Sequence, residues 1–108
     1  MKKSKIQFEI NLDEDNIPES IMWSADDNEG GKLQETKAIA VSVWDSNRVD
    51  SLQLDLWTKE MNTDEMKRFY INQIGSTSST LLNATGDEEL ANKIKDFCNE
   101  MVAYLESK

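Results

Sequence analysis

Carboxylates are the most abundant reactive side chains in this sequence. Of its 108 residues, 21 are Asp or Glu, 12 are Lys or Arg, and none is histidine. Two carboxylates can work together as general acid and general base. One hypothesis is that Asp45 and Asp55 flank a single site. Nothing beside either aspartate marks one as the acid and the other as the base. Since histidine is the commonest general base and is missing, the composition favours a protein without catalytic activity.

Two acidic stretches resemble parts of a calcium loop. Asp26, Asn28 and Gly30 have the spacing of the first ligands of such a loop, with Asp27 between them, but the later ligand positions are missing. Residues 13–16 likewise lack a glycine and a bidentate Glu at the required offsets. We therefore predict surface loops here, and no metal ion or cofactor.

The charge and the termini exclude several classes of partner. A net charge of -9 argues against nucleic acid and anionic lipid, because both bind positive surfaces. No apolar run approaches the roughly 20 residues that span a bilayer, so we expect no membrane insertion. The basic N-terminus leads into an alternating segment and not into the apolar run of a signal peptide, which predicts a cytoplasmic protein. The single cysteine, Cys98, excludes an internal disulfide and zinc sites built on paired cysteines.

Alternating apolar residues predict the first strands. Residues 5–12 place Ile6, Phe8, Ile10 and Leu12 on one face, and residues 20–25 form a short second strand. Residues 51–57 alternate three leucines with polar residues and predict a half-buried strand. Its other face carries Asp55 and Trp57.

Residues 33–46 have a pattern that fits two structures. The segment 38–44, AIAVSVW, is apolar at helical spacing and also at strand spacing. The polar lead-in and two alanines favour a helix lying across the sheet, whereas the valines and isoleucine favour a strand. We predict the helix. The alternative is a hairpin with residues 45–50 as its loop.

Two helices are predicted at the C-terminal end. Asn62 and Glu65 have the spacing of a capping box, while Gly86 and Asp87 suit the end of one helix and the start of the next. The small residues 75–80 predict a close helix crossing or a local kink. The predicted fold is a single α+β domain over residues 1–108. In it an antiparallel sheet of three or four strands packs against the two C-terminal helices, with a third helix at 33–46.

The residues best suited to contact a protein partner are aromatic or acidic. An exposed Trp57 beside Asp55 would be a binding anchor, unless Trp57 tucks under the following helix. The candidate partner-binding residues are Trp44, Asp45, Asp55 and Trp57, together with Asp26 and Asp27 of the acidic loop. A homodimer through a sheet edge or the last helix is an open alternative.

Three segments together resemble one protein family. They are KSKIQFEINLDEDNIPESIMWSADD at the start, ETKAIAVSVWD followed by LQLDLWTKEM in the middle, and DEMKRFY leading to LLNATGDEE. These segments resemble the GldC family of gliding-motility proteins of the Bacteroidetes over about residues 3–100. DLWTKEM with MKRFY is the most specific part, and neither is a catalytic motif.

The resemblance implies a role but no active site. Members of the GldC family are short and have no assigned reaction. They resemble accessory factors of an apparatus that drives surface adhesins and is linked to protein secretion. The expected function is therefore that of a non-catalytic accessory protein, an adaptor or an assembly or stability factor, which binds another gliding-motility component. The alternative is a small acidic enzyme or ligand-binding protein that uses carboxylates such as Asp45 and Asp55.

Overall fold

The computed structural model describes residues 2–27 and 29–108, which form five strands and two long helices. The elements in chain order are β1 (Ile6–Leu12), β2 (Pro18–Ala25), a short 3-10 turn (Glu29–Gly31), β3 (Gln34–Thr36), β4 (Ala38–Asp45), β5 (Asp50–Trp57), α1 (Thr63–Thr85) and α2 (Glu88–Glu106). The strands belong to one compact unit, Met1–Met61, and the helices to another, Asn62–Lys108. The predicted α+β class is confirmed.

The first three strands form an antiparallel sheet in the order β1-β2-β3. Phe8 pairs with Trp23 and Ile10 with Ile21, so the alternating apolar residues of β1 and β2 lie on one face, as predicted. Ile21 is completely buried at the middle of this face. The polar residues of β1 lie on the opposite face, while Ile6, Phe8 and Leu12 on the apolar face are exposed.

The predicted helix at residues 33–46 is wrong, and this segment forms β3 and β4 instead. β4 pairs with β5 along eight antiparallel residue pairs, from Ala38 opposite Trp57 to Asp45 opposite Asp50. Cross-strand contact of β-branched side chains with leucines stabilises such a pair. The helix preference of two alanines is worth only a few tenths of a kcal/mol each, so the strand pairing decides the structure. The hairpin alternative is confirmed, and we call this two-stranded sheet the β4–β5 ribbon.

The base of the ribbon is closed by the backbone of Thr58. Its N–H donates to the carbonyl oxygen of Lys37 at 2.8 Å, which extends the pairing one step beyond β4 and β5. Thr58 is only 3% exposed, and Ala38 and Ile39 at the start of β4 are also buried. The ribbon is therefore held at this end, and its burial decreases towards the loop at residues 46–49.

The start of α1, the end of α1 and the start of α2 lie at the residues expected from the sequence. The Asn62 side chain accepts a hydrogen bond from the Glu65 N–H at 2.8 Å and caps α1. Gly86 has a φ of 73° and its N–H donates to the carbonyl oxygen of Leu82 at 2.8 Å, which ends α1. The Asp87 side chain then accepts from the Leu90 N–H at 2.9 Å and starts α2.

Small side chains allow the two antiparallel helices to approach closely. The buried Ser78 hydroxyl donates to the carbonyl oxygen of Ala91 at 2.7 Å, and Ala91 is 3% exposed. The Cys98 thiol lies 3.5 Å from the carbonyl oxygen of Ile71, and a Cβ atom added at Gly75 would lie 3.3 Å from the Cys98 sulfur. The small residues at 75–80 thus serve the predicted close crossing.

The backbone at Val49 generates the first prediction. Val49 has a φ of 55° in the ribbon loop, where a β-branched residue is sterically unfavourable, and its side chain is 71% exposed. Replacing it with Asn, which tolerates this conformation, should raise the free energy of unfolding by about 1 kcal/mol in urea denaturation. The matched control is Asn16, which has a φ of 63° in the β1–β2 loop. Asn16→Val should lower stability, and a destabilising Val49→Asn would contradict the prediction.

The helix crossing generates the second prediction. Gly75→Ala should gain up to about 1 kcal/mol of helix stability, offset by the tight approach of the new methyl group to the Cys98 sulfur. In a Cys98→Ala background that offset disappears. The stabilisation from Gly75→Ala, measured by urea denaturation, should therefore be larger by about 0.5 kcal/mol or more in that background. An equal gain in both backgrounds would show that the two side chains do not meet.

Candidate functional site

The register of the ribbon divides the candidate residues between its two faces. Residues directly opposite each other in an antiparallel pair lie on the same face. Because Trp44 is opposite Ser51 and Asp55 is opposite Ala40, one face carries Trp44, Asp55 and Trp57. Trp44 is 60% exposed and Trp57 is 50% exposed. We call this the tryptophan face.

The three candidates on the tryptophan face do not form one cluster. Asp55 and Trp57 are two residues apart on β5, so their Cα atoms are roughly 7 Å apart. Trp44 lies opposite Ser51, six residues before Trp57, which separates the two tryptophans by roughly 20 Å along the ribbon. Gln53 donates a hydrogen bond to the Asp55 carboxylate at 3.3 Å on this face. The structure therefore brings Asp55 and Trp57 together, as the sequence predicts, and places Trp44 at the far end.

The opposite face carries an apolar patch that sequence reasoning missed. Val43 lies opposite Leu52, with Leu54 next along β5, and these three side chains are 55%, 54% and 52% exposed. We call this face, defined by these three residues, the leucine face. Alternation in the sequence identifies a shared face but not whether that face is covered, so the predicted half-buried strand does not hold for Leu52 and Leu54, which are exposed. Three side chains of this size expose roughly 300 Å² of apolar surface, which is within the range of the largest apolar patch on a typical monomer.

Asp45 has a structural role at the ribbon loop. Its Oδ1 atom accepts hydrogen bonds from the N–H groups of Asn47 at 3.0 Å and Arg48 at 3.3 Å. It lies on the face opposite Asp55 and five residue pairs away, a distance of roughly 17 Å along the ribbon. The hypothesis that Asp45 and Asp55 flank one site is therefore wrong.

The acidic loop after β2 is partly tied to the sheet. The Asp26 carboxylate accepts from the Lys5 N–H at 2.8 Å, and the Asp26 N–H donates to the Lys5 carbonyl oxygen at 3.0 Å. Asp27 is exposed. Asn28, the middle residue of the calcium-like spacing, lies outside the described residues. Within residues 2–27 and 29–108 no three potential metal ligands come together.

The carboxylate of Asp13 organises the β1–β2 loop. Its Oδ1 atom accepts from the N–H groups of Asp15 at 2.8 Å and Ile17 at 3.0 Å, and its other oxygen forms an ion pair with Lys59, just after β5. The hydrogen bond from Lys59, followed by that from Ile17, lowers the pKa of Asp13 below its usual 3.8. The same bond and the negative charge of Asp13 raise the pKa of Lys59 above 10.5.

One groove of the helical unit lies between the two helices. It has a volume of about 260 Å³ and is lined by Arg68, Ile71 and Asn72 of α1 and Val102, Leu105 and Glu106 of α2. Glu106 is the only carboxylate in this lining, so the groove does not bring acid and base together. In the described part of the chain, neither α1 nor α2 is long and apolar enough to cross a membrane.

Comparison with known proteins identifies the family. The sequence model of the family described as "Gliding motility-associated protein GldC-like" matches residues 18–107. The chain belongs to the GldC-like family. The match includes the whole β4–β5 ribbon and the whole of both helices, whereas β1 lies before it. Comparisons with curated proteins and with solved structures give no match.

The Asp13–Lys59 pair generates the third prediction. Asp13→Asn removes the negative charge but keeps an oxygen that can accept from Asp15 and Ile17. Because the folded-state pKa of Asp13 is lowered, its contribution to stability is present above pH 3.8 and is lost as the pH falls through the folded pKa. Because the folded-state pKa of Lys59 is raised, the contribution of Lys59 to stability is present below pH 10.5 and is lost as the pH rises through the folded pKa.

The stability difference between the wild type and Asp13→Asn should thus be largest from about pH 5 to about pH 9 and should shrink at both extremes. Urea denaturation across this pH range measures it. Glu14→Gln removes one charge from the same loop and leaves the ion pair in place, so it is the matched control. A difference that does not change with pH would contradict the role given to the pair.

Proposed function

We propose that this GldC-like protein is a non-catalytic accessory protein of the gliding-motility apparatus, acting as an adaptor or as an assembly or stability factor. In this proposal it works in the cytoplasm and binds another protein of the apparatus through the β4–β5 ribbon. Membership of the GldC-like family supports the association with gliding motility. The exposed apolar residues of the ribbon support binding to a protein.

The observation that carries the proposal is the exposure of large apolar side chains on both faces of one ribbon. Trp44 and Trp57 lie on the tryptophan face, and Val43, Leu52 and Leu54 lie on the leucine face, all at least half exposed. A two-stranded hairpin with water on both sides is only marginally stable. Covering one such side chain with a partner contributes about 1.5–3 kcal/mol, so a partner would stabilise the ribbon as it binds.

Tryptophan is the residue type most enriched in the energetic centres of protein interfaces. Trp57 lies beside Asp55, so an anchor and a charge for orienting the partner are close together. Asp27 is exposed in the acidic loop after β2. Asp26 and Asp45, in contrast, accept hydrogen bonds from nearby backbone N–H groups. We therefore propose Trp44, Asp55 and Trp57 as the contact residues, with Asp27 as a peripheral charge.

The experiment uses a gliding bacterium whose own copy of this protein is replaced by variants. Trp44→Ala and Trp57→Ala should each reduce recovery of a specific motility partner by more than tenfold after cross-linking in cells, and should slow gliding. Ile6→Ala is the matched control, since Ile6 is 68% exposed on the three-stranded sheet. Thermal unfolding of each purified variant separates loss of binding from loss of folding. Normal gliding and an unchanged complex in both Trp variants would refute the proposal.

A further inference from the structure

The outer edge of β5 is unpaired within the described part of the chain, and β5 contains no Lys, Pro or bulge. In a two-stranded sheet each strand is paired on one side only, so alternate backbone N–H and C=O groups of β5 point away from β4. Natural proteins block such edges with charged side chains, especially Lys, with Pro or with a bulge. The charged residues of β5 are both acidic, Asp50 and Asp55, so they disfavour acidic strands but not basic ones, and its eight pairs with β4 run without a register shift.

The other edges in the same unit are less open to pairing. β1 follows Lys5, and its register shifts between Asn11 and Leu12. β3 is only three residues long. β4 is exposed on both faces over residues 42–44 alone, whereas β5 is exposed over the five consecutive residues 50–54. The edge of β5 is thus the longest accessible template for another strand among the described residues.

We propose that the outer edge of β5 binds an extended segment of another protein as an added strand, and that this segment alternates apolar with basic residues. The inference rests on the proposed function and specifies the partner of the same ribbon. Added strands are bound by main-chain hydrogen bonds and selected by alternate side chains. On one face the added strand meets Leu52 and Leu54, which favours apolar residues. On the other face it meets Gln53 and Asp55, which favours basic ones.

Charge supports a basic partner. β4 and β5 together contain Asp45, Asp50 and Asp55 and no basic residue, and the whole chain has a net charge of -9. Opposite charge on the partner accelerates association and suppresses binding of acidic competitors.

The same observations disfavour a second copy as the occupant. Two copies would bring two charges of -9 together. Their leucine faces would bury roughly 600 Å² in total, about half of the 1,200 Å² that a stable interface needs. An acidic surface also repels anionic membranes, so the occupant is an extended basic protein segment.

The test uses a synthetic peptide of about eight residues that alternates valine and lysine, the length of β5. In an NMR titration of the full chain we expect saturable binding, with the largest amide shifts in residues 50–54. A peptide that alternates valine and glutamate should bind at least about 30-fold more weakly. A peptide with the same valine and lysine content in two separate blocks should also bind weakly, because its side chains cannot match alternate faces.

Two charge reversals provide the matched comparison. Asp55→Lys on β5 and Glu9→Lys on β1 change the net charge equally, and only the first lies on the proposed edge strand. Asp55→Lys should weaken binding of the valine–lysine peptide by more than tenfold, and Glu9→Lys by less than threefold. Leu54→Lys, which introduces the natural edge-blocking residue, should abolish the shifts in residues 50–54. Amide spectra of each free variant confirm that it is folded.

Several results would overturn the inference. The first group concerns the peptides: equal binding of the glutamate peptide, equal losses in the two charge reversals, or largest amide shifts outside β5. The second group concerns other occupants: self-association through β5 in sedimentation, or binding to vesicles containing phosphatidylserine that Leu54→Lys prevents. If strand addition fails while the Trp44 and Trp57 variants still lose their complex in cells, the proposed function stands and only this mode of binding is refuted.

Discussion

The register between β4 and β5 is the constraint from which the proposed contact surface follows. Side chains alternate along a strand, so a slip of one residue would exchange the two faces of one strand relative to the other. With Ala38 opposite Trp57, the observed register collects the exposed leucines and Val43 on one side. The same register places Trp44 and Trp57 on the other side. The Thr58–Lys37 hydrogen bond at the base and the Asp45 carboxylate at the loop maintain this register from both ends.

Three aspartates stabilise loops of the chain itself. Asp13, Asp26 and Asp45 each accept hydrogen bonds from backbone N–H groups near the end of a strand. These main-chain donors would otherwise lack partners within the protein. A carboxylate used in this way is held in place and is not positioned toward a shared reacting centre. The remaining charged groups lie mainly on the surface, where they determine the sign of the partners that approach.

The distribution of burial bears on the proposed binding of a partner. Among the described residues the buried apolar side chains are few, namely Ile21, Ala38, Ile39 and Ala91. Two of them, Ala38 and Ile39, lie at the base of the ribbon, while its outer half carries large exposed apolar residues. A surface of this kind is suited to a partner that completes the packing. The family match over residues 18–107 includes all of it.

Local chemistry in the sequence determined the first strand, the helix caps at Asn62 and Asp87, and the helix end at Gly86, because the interactions that form them lie within a few residues. The family also followed from its motifs. Tertiary structure alone decided between helix and strand at residues 38–45, since the pattern fits both and the choice depends on pairing with β5. It also decided that the leucine face is exposed and that Asp45 and Asp55 lie apart. Burial and distance depend on which segments meet in space, and alternation along the chain carries no information about that.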